Sequence, residues 1–133
     1  MVSFWTRHAP STLEMLVVTK DGWLVSAVQS HLGEGCRILH LDDPYAALGV
    51  LASRPIHGAV LDATLPNRMA SNLARAFLQH QPVGRVVIIA SPDDMTSIIG
   101  LAYGDKRVEV LFRPMDAIVL RATLLGSAMA TAS

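Results

Sequence analysis

Short apolar runs alternate with segments of helical periodicity along almost the whole chain. EMLVV (14–18), CRILHL (36–41), HGAVLD (57–62), RVVIIA (85–90) and VEVLF (108–112) read as five β-strands. Several are nearly continuous in Val, Ile and Leu, the pattern of parallel strands covered on both faces. Between them, apolar residues recur three or four apart. Leu24, Ala27, Val28 and Leu32 form one stripe, Ala47, Leu48 and Leu51 a second, and Met69, Leu73 and Phe77 a third. A fourth helix is predicted from about Thr96 to Tyr103 and a fifth from Asp116 to about Met129. Asp43-Pro44 and Ser91-Pro92-Asp93-Asp94 have the composition of helix starts, and Gly33, Gly35 and Gly104 fall just past helix ends. Strict β-α alternation, with right-handed crossovers, predicts an α/β fold: a single five-stranded parallel sheet, doubly wound, flanked by five helices. Residues 1–12 fall outside the pattern as an N-terminal arm, residues 13–129 form the domain, and 130–133 are a tail.

Composition narrows the function classes. With 51% hydrophobic and 17% charged residues in 133, the chain is expected to fold as one domain rather than stay disordered. A formal charge of zero without a basic block argues against nucleic-acid binding. The single cysteine, Cys36, excludes an internal disulfide and fits a reducing compartment. The N-terminus lacks an apolar signal-peptide core, and no apolar stretch reaches membrane-spanning length, so a cytoplasmic location is expected. His8, His31, His40, His57 and His80 lack metal-ligand spacing. No Gly-rich phosphate loop follows the first strand, which leaves little support for a flavodoxin-like cofactor binder.

In open α/β sheets, sites form beyond the carboxyl ends of the strands. The residues there are Thr19, Lys20 and Asp21 after the first strand, Asp42 and Asp43 after the second, and Asp62 ending the third. Ser91 follows the fourth and Arg113-Pro114 the fifth. On these positions the chain resembles the receiver domain of bacterial two-component response regulators (CheY-like) over about residues 13–129. The matching motifs are VLDATLP (60–66), with proline four residues after the aspartate, RVVIIAS (85–91) and VLFRP (110–114). The resemblance implies strand order 2-1-3-4-5. It also implies that Asp62 stands at the phosphoacceptor position, where a histidine kinase would deliver a phosphoryl group with Mg²⁺ bound beside it. The Thr64 carbonyl would stand at a backbone metal ligand and Ser91 at a phosphoryl-contacting hydroxyl.

The chain departs from that pattern where charge matters most. Thr19 and Lys20 stand where the family has two acids, Arg113 replaces a lysine, and Val110 replaces the aromatic switch of the fifth strand. Mg²⁺ demands several oxygens in octahedral array; exchanging two carboxylates for a hydroxyl and an ammonium opposes it. Lys20 and Arg113 are expected to flank Asp62 directly and keep it ionised, with Asp21, one position late, pointing elsewhere. No metal or cofactor and no catalytic residue is expected. The chain then reads as a degenerate, non-enzymatic receiver acting as a signalling and protein-interaction module in a phosphorelay-type system. The alternative is a conventional phosphoacceptor receiver, with Asp62 phosphorylated by a histidine kinase and Mg²⁺ recruited through Asp21 and Asp62.

The last helix, DAIVLRATLLGSAMA (116–130), is apolar on more than one stripe. One face must cover the sheet; surplus apolar surface marks a partner site. Self-association as a homodimer is therefore expected through Ile98, Leu101 and Tyr103 on the fourth helix and Val119 and Leu120 on the fifth. The partner is expected to be a protein, a histidine kinase among them, and not nucleic acid or membrane.

Overall fold

The computed structural model describes residues 13–32, 35–113, 116 and 118–124. The N-terminal arm, the 130–133 tail and the last helix beyond 124 lie outside the described residues. The strands are β1 Leu13–Val18, β2 Cys36–Leu41, β3 Gly58–Asp62, β4 Arg85–Ala90 and β5 Val108–Phe112. The helices are α1 Gly22–Leu32, α2 Pro44–Ser53, α3 Met69–His80, α4 Met95–Gly104 and α5, residues 118–124. Short 3₁₀ turns, Pro66–Arg68 and Pro92–Asp94, precede α3 and α4. All four strand pairings are parallel and the order is β2-β1-β3-β4-β5. The order reverses between β1 and β3, which opens a crevice at their carboxyl ends.

Strand alternation sorts the core into two layers. Leu16, Val18, Ala59, Leu61, Val86 and Ile88 face α2, α3 and α4, packing on Ala47, Leu51, Leu73, Phe77 and Ile98. Met15, Val17, Val60, Val87 and Ile89 face the other way, onto Leu24, Val28 and Leu32 of α1 and Leu120 and Leu124 of α5. With both faces covered, every residue of β3 is buried, which explains its unbroken apolar sequence up to Asp62. Asp43 caps α2 by accepting from the Tyr45 N–H at 2.9 Å, with Pro44 in the first turn. Before β4, Gly84 adopts φ +104° with its α-carbon against the His57 carbonyl, where a side chain would collide.

Two expected interface residues belong to this interior. Ile98 and Leu120 are each 1% exposed and pack within the two core layers. The helical phase of α5 turns Leu120 and Leu124, four apart, onto the sheet and leaves Ile118 and Val119 outward at 68% and 46% exposed. Leu101 is partly buried against the α2–α4 layer, and the side chain of Tyr103 lies outside the described ones. Ile99 and Phe112 are also exposed.

Candidate functional site

β3 ends on Asp62, carried into the crevice yet only 1% exposed. Such a carboxylate is stable only if its desolvation is answered by hydrogen bonds or charge. Four donors do so. The Thr19 hydroxyl, at the end of β1, donates to Asp62 Oδ2 at 2.6 Å. On Oδ1, the Thr64 amide donates at 2.9 Å and the Thr64 hydroxyl at 2.7 Å. The Arg113 guanidinium, just past β5, reaches Oδ1 at 2.8 Å. The turn after β3 is therefore folded around the aspartate, with the Leu65 amide also returning to the Asp62 carbonyl at 3.1 Å. Two non-glycine residues, Asn67 and Arg68, then take left-handed φ of 58° and 56° before α3 begins.

Burial by itself would push the Asp62 carboxyl up. The Thr19 hydroxyl, the Thr64 amide and hydroxyl, and Arg113 together outweigh it and hold the group below the usual carboxylate range. Burial opposes the Arg113 charge too, but Asp62 and then Asp21 raise its affinity for the proton.

Arg113 does more than pair with Asp62. Its second terminal nitrogen reaches Asp21 Oδ2 at 3.1 Å, while Asp21 Oδ1 caps α1 by accepting from the Trp23 N–H at 2.9 Å. The Asp21 amide donates to Thr19 Oγ1 at 2.9 Å, so that hydroxyl accepts on one side and donates to Asp62 on the other. His40 fixes the same corner from β2: its Nε2 lies 2.9 Å from the Thr19 carbonyl and must donate to it. The ends of β1, β3 and β5 are thus clasped by one guanidinium and one hydroxyl.

This overturns the expected neighbours of Asp62. Lys20 is exposed, and among the described residues it makes no hydrogen bond or ion pair. Asp21, expected to point away, is the residue drawn in. The reason is that β1 ends at Val18, so strand alternation ceases to govern side-chain direction at 19–21. The turn buries Thr19, sends Lys20 outward and returns Asp21 as the cap of α1. A signal was present in the sequence: Asp-Gly-Trp-Leu at a helix start is an N-cap arrangement, and a capping carboxylate has a second oxygen to offer. Ser91 follows β4 as expected, but its amide donates to the Asp94 carboxylate at 2.9 Å, and no hydrogen bond joins it to Asp62 among the described residues. Val110 lies partly buried against the α2–α4 layer.

The donor set does not suit Mg²⁺. Among the described residues no group of three or more His, Cys, Asp or Glu side chains could hold a metal ion. Asp62 spends both oxygens on protein donors, and the guanidinium on Oδ1 repels a dication. Other polar side chains have structural partners. His57 Nδ1 accepts from the Glu14 amide at 2.9 Å, and Glu14 Oε1 pairs with Arg37 and Arg54 at 3.3 Å each. Burial pushes the Cys36 thiol up, against a smaller opposing influence from Arg121, so it is a poor nucleophile.

The sheet order and the placement of Asp62 decide the comparison with known structures. This chain has the fold of a response-regulator receiver domain. The receiver domain of an HD-domain-containing protein from Pseudomonas fluorescens superposes with a TM-score of 0.71 at 22% identity, covering 91% of this chain and 93% of that one. A response regulator from Thermotoga maritima gives 0.71 at 18% identity, covering 90% and 98%. A structure described as an adenylate cyclase from Rhodopirellula baltica gives 0.75 at 16% identity, covering 89% and 88%. In sequence, no protein-family model and no curated protein matches the chain. No helix among the described residues of this receiver fold is long and apolar enough to cross a membrane.

Proposed function

We propose that this chain is an atypical receiver domain: a non-enzymatic, cytoplasmic signalling and protein-interaction module of a phosphorelay-type system, whose output does not depend on Mg²⁺-assisted phosphorylation of Asp62. The observation that carries this reading is the closure of Asp62, 1% exposed with four donors already on its carboxylate. Phosphoryl transfer needs an accessible carboxylate oxygen in line with the donor and cations that offset the developing charge. Here the one guanidinium that reaches Asp62 among the described residues is shared with Asp21, leaving a formal charge of −1 on those three groups. A phosphoryl group would add about −1.5 to −2 more. The clasp instead supplies permanently what metal and lysine supply transiently in the family, and holds the strand ends in one arrangement.

Self-association through the α4–β5–α5 side belongs to the same proposal, carried by exposed Ile99, Phe112, Ile118 and Val119. A two-fold contact would bury the same patch on both subunits.

One observation favours the conventional phosphoacceptor reading: Arg113 gathers two carboxylates, Asp21 and Asp62, into one corner. Incubation with acetyl phosphate and Mg²⁺, read by intact mass, separates the two, together with a beryllofluoride and Mg²⁺ titration followed by amide shifts. The expected outcome is no acyl phosphate and no Mg²⁺ saturation below millimolar concentration. Stoichiometric phosphorylation of Asp62, or micromolar Mg²⁺ binding centred on it, would establish the conventional reading instead.

A further inference from the structure

Among the described residues, nearly every arginine is matched. Arg37 and Arg54 pair with Glu14, Arg85 with Glu109, and Arg113 with Asp62 and Asp21. Arg107 donates to the carbonyls of Gly84 and Gln81, and Arg121 to that of His31. Arg68 and Arg75 alone have no hydrogen bond or ion pair among the described residues, and both are exposed. Arg75 lies within α3 and Arg68 stands seven residues before it at the N-cap, so their α-carbons are separated by about two helical turns, or about 10 Å. Exposed Asn72 and Gln79, three residues before Arg75 and four after it, share its face of α3.

No acid near in sequence accompanies these two arginines. No aspartate or glutamate occurs between Asp62 and Asp93, and α2, which packs beside α3, carries no charged residue. In a chain whose formal charge is zero, Arg68 and Arg75 thus fall in a stretch, residues 63–92, that holds no acid. Arg68 also breaks two local rules. It is a cation at the start of a helix, where the dipole favours anions, and it is held at φ 56° without a side-chain cap. Departures from local preference with no compensating contact inside the fold belong to functional surfaces.

We infer that Arg68 at the N-cap and Arg75 within α3 form a docking surface for an acidic segment of a partner protein, one presenting two carboxylates about 10 Å apart, as glutamates seven residues apart on a helix do. Planar guanidinium forks match carboxylates in bidentate geometry. Asn72 and Gln79 supply neutral donors and acceptors along the same line. An acidic helix suits the site better than nucleic acid, because the cations are few and bounded on one side by uncharged α2 rather than spread as a basic field. The proposal extends the interaction-module reading but uses a different wall from the Asp62 pocket and from the α4–β5–α5 side. Phosphorylation of Asp62 would overturn that reading and leave this one standing.

The test is an amide-shift titration of the full chain with a synthetic helical peptide carrying glutamates seven residues apart. A matched peptide with glutamine at those positions and a random-sequence DNA duplex serve as competing probes. Shifts should cluster on residues 68–80, and Arg75→Glu and Arg68→Glu should each weaken binding about fivefold or more, the scale of one exposed charge pair. A peptide with lysine in place of glutamate should recover binding to the Arg75→Glu protein. Arg75→Ala, which introduces no new charge, should give a smaller loss in the same direction. Shifts elsewhere than α3, indifference to all three substitutions, or equal affinity for the glutamine peptide would overturn the inference. Tighter binding of the duplex would make this a nucleic-acid surface and overturn it as well.

Discussion

Replacing Arg113 by alanine isolates the clasp. The substitution leaves a carboxylate that is 1% exposed without the one cation it pairs with among the described residues, and leaves Asp21 as an ordinary surface acid. Removing one partner of a fully buried ion pair costs about 3–5 kcal/mol. The present pair should lie below that range, because the Arg113 side chain is 27% exposed and Asp62 keeps its bonds from Thr19 and Thr64. The Asp21 contact is a surface pair and adds no more than about 1 kcal/mol. The expected loss is therefore about 2 kcal/mol at pH 7, a fall in Tm of about 6–10 °C for a domain of this size. The pH dependence has a definite sign. The Asp62 carboxyl titrates below its usual value in the fold. The stability it contributes is thus fully present above the unfolded value of about 3.9 and is lost as pH falls through the folded one. The gap between wild type and Arg113→Ala should narrow as pH drops below about 4. Urea denaturation followed by circular dichroism at several pH values measures both quantities. Adding Asp62→Asn to Arg113→Ala should recover part of the loss, since the stranded charge is gone. A deficit under about 0.5 kcal/mol at pH 7, or one that persists undiminished in acid, would refute the clasp.

Lys20→Ala should change stability by less than about 0.5 kcal/mol, because Lys20 is solvated and contributes nothing to the Asp62 pocket; thermal melts check this. Leu120→Glu should cost about 4 kcal/mol or more and lead to unfolded or aggregated protein, since it forces a charge into the α1–α5 layer. Val119→Glu, one residue away but outward, should leave the melt nearly unchanged and weaken any dimer seen by sedimentation at micromolar concentration. Gly84→Ala should cost about 2 kcal/mol or more, because alanine must adopt φ +104° with its β-carbon against the His57 carbonyl.

Local patterning determined most of the architecture. The five strands, the helix stripes and the placement of Asp62, Ser91 and Arg113 at strand ends were all legible, because burial on both sheet faces imposes unbroken apolar runs and the sites of such sheets lie at the carboxyl ends. Tertiary structure decided what alternation and periodicity leave free. Once β1 ends at Val18, no two-residue period fixes direction, so only the turn geometry shows that Thr19 faces Asp62, Lys20 leaves for solvent and Asp21 returns to Arg113. In α5 the apolar residues outnumber one face, and several rotations satisfy the sequence equally. Contact with α1 and the sheet selects Leu120 and Leu124 for the interior and leaves Ile118 and Val119 outside. The two arginines at and after the start of α3, Arg68 and Arg75, are visible in the sequence. That these two arginines go unmatched while the others among the described residues find partners follows from how distant strands and helices meet, which no local pattern encodes.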